Sequence, residues 1–371
     1  MYRRRLAALA GAIGLLGALF SSGVAARADT LVTIDSTMSS LISTYLNSTQ
    51  DACVAAGSGT AVKGDGTCTI TQGVPTNGDK NIAVCVQSNT PGTSQECTIT
   101  QTNDSGNNYA FVFQHVIDNG GPTEDATQTS TITQNMSTVG TASGSNFAEI
   151  IQIVKQSTKQ AGDQSQKVQQ FNTTDQSSTT GTNFASLDES SDQSAQSDSS
   201  MQTQLSDQDA SDPDGHINQH SMGLSQAIAT QSQLQSLTGT GVQTQTIDPR
   251  CCSAQGINSN DVFTINQSTN QAGNPSATQN ADSFGTCTSS GQCSITQSST
   301  NNKASFATTT SCNGTTCSNE VFCTSGVDFS SCGPGGFAPV LGATAAFRTL
   351  ATSGLTASTG RRSIATVSSV T

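Results

Sequence analysis

The chain has 371 residues, of which only 11% are charged and 4% aromatic, with no tryptophan and a formal net charge of -12. Leu, Ile, Val and Phe together make up roughly 18%, under the ~20% below which a chain struggles to build an ordinary apolar core. This balance argues against a pocketed enzyme, and an acidic chain without a basic patch repels phosphate backbones and argues against a nucleic-acid partner.

The first element is a leader. Arg3, Arg4 and Arg5 precede an apolar run from Leu6 to Phe20, and small residues then lead to Ala26-Arg27-Ala28. A basic start, a short apolar core and an A-x-A site form a Sec-type signal peptide over 1–28 with cleavage after Ala28. The alternative is an uncleaved anchor, but the run falls short of the roughly 20 residues that span a bilayer. No membrane span is expected after signal removal. Losing four arginines takes the mature chain to -16, since -12 - 4 = -16.

Twelve cysteines, an even number in an exported chain, imply disulfides and a secreted or cell-surface location. Cys68, Cys97 and Cys293 each follow an upstream cysteine (Cys53, Cys85 and Cys287) across a Gly/Ser/Thr-rich stretch, which suggests repeated clips. Cys312 with Cys317, and Cys323 with Cys332, fit the same scheme. Cys251 and Cys252 are adjacent and are expected to find partners elsewhere. Connectivity stays open at this level. With no Cys-x-x-Cys present, neither a zinc ribbon nor a redox motif is indicated.

Four segments follow the leader. They are a Cys-containing β segment over 29–97, Cys-free Gln/Asn/Ser/Thr-rich repeats over 98–250, Cys-rich β repeats over 251–333 and a flexible tail over 334–371. Thr69-Ile70-Thr71-Gln72 recurs at Thr98, Thr131 and Ser294, with Thr264-Ile265-Asn266-Gln267 as a variant. Each copy alternates β-branched and polar residues, as a strand with one inward face does, so Ile points in and the hydroxyls out. The copies lie about 29 and 33 residues apart, too uneven to predict one threonine ladder.

Gly-x-Asn-[Tyr/Phe]-Ala followed by Gln or Glu recurs at Tyr109, Phe147 and Phe184, with half-units between, giving coils of about 18 residues. Such a coil cannot bury its stripe alone, so stacking is expected, with amide ladders running through Asn108, Gln114, Gln134, Asn146, Gln152 and Asn183. Gly and Asn at the corners would supply positive φ. The Ser/Asp/Gln-rich stretch 188–215 is the weakest, a loop or a set of poorly ordered rungs.

Gln160-Ala161-Gly162 and Gln271-Ala272-Gly273, with Asn-x-Ala-x3-Gln at Asn108/Ala110/Gln114 and Asn146/Ala148/Gln152, resemble the curlin repeat over roughly 98–310. The resemblance implies stacked β-turn-β coils and a role in surface fibres, matrix and adhesion. The Gly-to-Asn spacing is one residue shorter here, and curlin subunits are not cysteine-rich.

No catalytic, cofactor or metal site is expected, and no cofactor. The histidines are His115, His216 and His220, and no nucleophile elbow, phosphate loop or zinc-protease motif occurs. Asp212-Pro213-Asp214-Gly215 echoes a calcium loop, but Ser221 stands where the closing Glu belongs. The expected fold is all-β, a repetitive solenoid or cross-β-like stack clipped by disulfides. The expected function is a non-enzymatic structural or adhesive protein that self-associates, with a surface or matrix partner. The alternatives are a monomeric solenoid that binds ice, glycan or a surface, and a disordered secreted polymer.

Overall fold

The computed structural model describes residues 40, 41, 44, 51–76, 80–89, 94–119, 121–136, 144–196, 201–208, 217–256, 261–326 and 330–334. The signal peptide, the tail beyond 334, His216 and the Asp212–Gly215 segment lie outside them. Apart from helical residues at Ser40, Leu41 and Thr44, the regular structure is all β.

Eighteen strands join into one sheet. In chain order they are Ala52–Ala56 (β1), Thr60–Lys63 (β2), Thr67–Gln72 (β3), Asn81–Asn89 (β4), Ser94–Asn103 (β5) and Asn108–Asn119 (β6). Thr123–Met136 (β7), Asn146–Lys159 (β8), Gln164–Ser177 (β9), Asn183–Gln196 (β10), Gln202–Gln208 (β11) and Ile217–His220 (β12) follow. The last are Ser225–Thr238 (β13), Gln243–Gly256 (β14), Val262–Ala272 (β15), Thr278–Thr300 (β16), Ser305–Ser325 (β17) and Ser330–Pro334 (β18).

Consecutive strands do not pair through most of the chain. β4, β6, β8, β10, β13, β15 and the second half of β16 form one parallel ribbon. β3, β5, β7, β9, β11 with β12, β14 and the first half of β16 form another. The ribbons face each other across the core. Ile70, Ile99 and Ile132 of one cluster with Ala83, Ala110, Val112 and Ile150 of the other, all at most 1% exposed. Such alternation leaves every second residue outside, so Ser, Thr and Asp are accommodated without loss of core.

The expected 18-residue coil is not the stacking unit. Asn146 sits beside Asn108, 38 residues earlier, and beside Asn183, 37 residues later. A half-unit of about 18 residues makes one long strand and a turn, and its successor belongs to the facing ribbon. The offset also varies, from 27 residues between Asn81 and Asn108 to 43 between Gln176 and Gln219. The connections absorb the difference, so strand register survives uneven spacing in sequence.

Two further expectations need correction. Most of 188–215 is regular: β10 and β11 place Glu189, Ser191, Gln193, Gln202 and Gln204 inward, all at most 3% exposed. Polar residues can occupy these positions because neighbouring strands supply partners for them. At the corners, no described residue other than glycine has positive φ, and Gly144 and Gly181 are not in that region either. Close approach is what requires glycine at these two. A Cβ on Gly181 would collide with the Gly144 carbonyl oxygen, and one on Gly144 with that of Gly106.

Both ends of the stack are reversed. β1 runs antiparallel to β4 and β2 antiparallel to β3. At the other end β17 runs antiparallel along both halves of β16, and β18 covers its last five residues, Val321 to Ser325.

Candidate functional site: amide ladders, threonine ranks and strand ends

Inside the two ribbons, amide side chains stack on their counterparts in the next strand. Asn81, Asn108, Asn146 and Asn183 form one ladder at 2.9–3.1 Å. Gln152 Nε2 donates to Gln114 Oε1 at 2.6 Å, and Gln114 Nε2 to Gln87 Oε1 at 2.8 Å. On the facing ribbon Gln134 belongs to the series Gln72, Gln101, Gln134, Gln176 and Gln219, each step 2.7 Å. The six ladder residues singled out above are thus all buried, and they fall into three ladders.

More ladders escaped notice in the sequence. Gln128, Gln170 and Gln208 continue from Gln95. Gln193, Gln235 and Gln271 continue from Gln156. Gln202 and Gln243 continue from Gln164, and Gln166, Gln204, Gln245 and Gln279 from Glu124. The available signal was glutamine at alternate positions, as in Gln164-x-Gln166, Gln202-x-Gln204 and Gln243-x-Gln245.

The glutamine ladders have a direction. Each Gln Nε2 donates to the preceding strand, so every series ends on an oxygen that would accept from a following one. Gln208, Gln219, Gln271 and Gln297 hold such an Oε1, buried and without a partner. Gln243 and Gln279 end instead on backbone N–H groups of Asn274, at 2.7 Å, and Asn302, at 3.1 Å.

Glu189 interrupts the Gln114–Gln152 series, since a carboxylate cannot donate. Asn172, reaching across from β9, donates both to Gln152 Oε1 at 2.9 Å and to Glu189 Oε1. Gln231 Nε2 donates to Glu189 Oε2 at 2.6 Å, and the series resumes through Gln267 and Gln297. Burial raises the Glu189 carboxyl to about 7. The hydrogen bonds from Gln231 and Asn172 oppose the rise, and Asp188 and Asp207 add to it. Glu149 is likewise raised to about 7, by burial first and then by Asp188.

The outer face of β3, β5, β7 and β9 carries threonines in register. Thr69, Thr98, Thr131 and Thr173 form one rank, and Thr71, Thr100 and Thr133 a second that ends on Asp175. The uneven sequence spacing gave no hint of these ranks, because the connections absorb it.

Disulfides gather at the two ends. They join Cys53 to Cys68, Cys85 to Cys97, Cys287 to Cys293, Cys312 to Cys317 and Cys323 to Cys332. Cys251 is also disulfide-bonded. Cystines in this number fit an oxidising, extracellular setting. Among the described residues no helix is long and apolar enough to cross a membrane, and no three His, Cys, Asp or Glu side chains are grouped to hold a metal ion. No protein-family profile, curated protein or solved structure matches the chain.

Proposed function

We propose that this chain is an exported β-solenoid, one turn per pair of facing strands, which serves as a non-catalytic structural or adhesive component of a cell surface or extracellular matrix. The observation that carries this reading is the interior itself, where amide ladders run from strand to strand. Hydrogen-bonded amides in a low-dielectric interior rigidify a fold and fix its register, which suits a load-bearing rod. The curlin-like repeat supports the same role. Because the ladders are saturated within one chain along most of their length, self-association falls to the outermost strands at the two ends of the sheet.

The threonine ranks favour a second reading, a monomeric solenoid whose hydroxyl array binds ice, glycan or another ordered surface. Neighbouring strands set its spacing at about 4.8 Å. One experiment separates the two. The purified mature chain is assayed for self-association by sedimentation and for retention on ice and on insoluble polysaccharide, beside Thr98→Lys/Thr131→Lys. The structural reading predicts self-association that the double variant leaves intact. A chain that stays single and loses retention on substitution would replace it with the second reading.

A further inference from the structure

We infer that two copies of this chain pair tail to tail through the outer edge of β17, about a two-fold axis, so that assembly closes at a pair instead of extending as a filament. The inference rests on the self-association reading above.

One edge of β17 is bonded to β16 along its length, whereas β18 occupies the other edge only from Val321 to Ser325. From Ser305 to Glu320 the outer edge has no strand partner among the described residues, and its row is unbroken from Ser305 to Asn313, which is 313 - 305 + 1 = 9 residues, before the positive φ at Gly314 and a register shift against β16. An open row of N–H and C=O groups of this length is a template for pairing, and natural edges usually carry charge, proline or a bulge to prevent it. Between Lys303 and Glu320 there is neither a charged residue nor a proline.

The layer below this edge is short of partners. Gln297 Oε1, Asn301 Nδ2 and Asn319 Nδ2 are buried and unbonded, and all three lie in β16, β17 or the turn between them. The side chains of Thr308, Thr310 and Cys312 stand opposite Gln297, Ile295 and Cys293, which are at most 1% exposed. They are themselves only half-buried, as the face of an uncovered layer is.

Charge and length decide the occupant. Two copies of Ser305–Asn313 meeting antiparallel bring no like charges together, and each residue pair then occurs twice, as an isologous interface requires. A filament would instead need β17 to meet β1 and β2 of the next copy. Those strands have five and four residues, a turn with positive φ at Gly57 and Gly59 separates them, Asp51 precedes the first and Lys63 ends the second. That end is guarded along its whole edge, whereas Ser305–Asn313 carries no such interruption.

The test is the mass of the full oxidised chain by light scattering over a concentration series, beside Thr308→Lys, Thr310→Lys, Val62→Lys at the opposite end and a chain ending at Pro334. The expected result is twice the chain mass for the parent, for Val62→Lys and for the shortened chain. Thr308→Lys and Thr310→Lys should weaken pairing at least tenfold with an unchanged far-UV signal. Larger particles that Val62→Lys disperses would overturn the pairing mode while leaving self-association standing. A full chain that is single while the shortened one pairs would show that its own tail covers the edge, and would overturn the inference for the native protein. A parent chain that stays single in every form would sink both readings.

Discussion

Replacing Gln134 by leucine is expected to destabilise the fold by about 3–5 kcal/mol, although the side chain keeps nearly the same volume. Gln134 is fully buried. Its Nε2 donates to Gln101 Oε1 at 2.7 Å and to the Phe147 carbonyl at 2.8 Å, while its Oε1 accepts from Gln176 Nε2 at 2.7 Å. Leucine would take the donor from Gln101 Oε1 and from the Phe147 carbonyl and leave Gln176 Nε2 with the Phe184 carbonyl alone, and each unmet buried group costs about 1–3 kcal/mol. Denaturant unfolding measures the loss. Thr133→Ala one residue away, on the outer face, is the control and should change stability by less than about 0.5 kcal/mol. Equal effects at the two positions would mean that the ladder contributes nothing.

Acidification from pH 8 to pH 5 is expected to stabilise the protein, and Glu189→Gln to remove much of that gain. The ordinary carboxyl value is 4.5 and burial brings Glu189 to about 7, so the folded chain holds this proton more tightly than the unfolded one. Stability from a raised carboxyl is fully present below pH 4.5 and is lost as pH rises through 7. The full shift corresponds to about 3 kcal/mol at most. At pH 8 the Glu189→Gln variant escapes that penalty and also regains an amide donor toward Gln152, so it should melt higher than the parent. At pH 5 the two should nearly coincide. Glu149, raised to about 7 as well, Asp282, raised to about 6, and Asp188, also raised by burial, supply the dependence that remains. A parent whose melting temperature is flat from pH 5 to pH 8 would contradict this account of the Glu189 site.

The β class and the inward isoleucines were legible in the sequence because Thr-Ile-Thr-Gln alternates with period two and Ile, Val and Thr favour strands. The asparagine ladder was legible because Gly-x-Asn-[Tyr/Phe]-Ala marks each return to the same ribbon. What stayed hidden depends on register between distant residues. A half-unit of 18 residues looks like a coil in one dimension, and only pairing shows that Asn146 meets Asn108 and Asn183. The threonine ranks were hidden for the same reason. The acidic, serine-rich β10 looked like a poor strand because its inward residues are polar. Its neighbours supply the partners: Gln193 Nε2 reaches Gln156 Oε1 at 2.9 Å and the Leu205 carbonyl at 3.1 Å. The reversed strands at the ends carry no sequence signature, since direction is set by the turns that precede them.

The claim on which the rest depends is that the ladders close within a single chain. Far-UV circular dichroism of the oxidised chain from Asp29 to Thr371, taken immediately on purification together with its sedimentation coefficient, tests it most directly. The account predicts a β spectrum at once, in soluble particles of one or two chains. A coil spectrum that turns to β only as material sediments would contradict it, because the amide ladders would then form between chains.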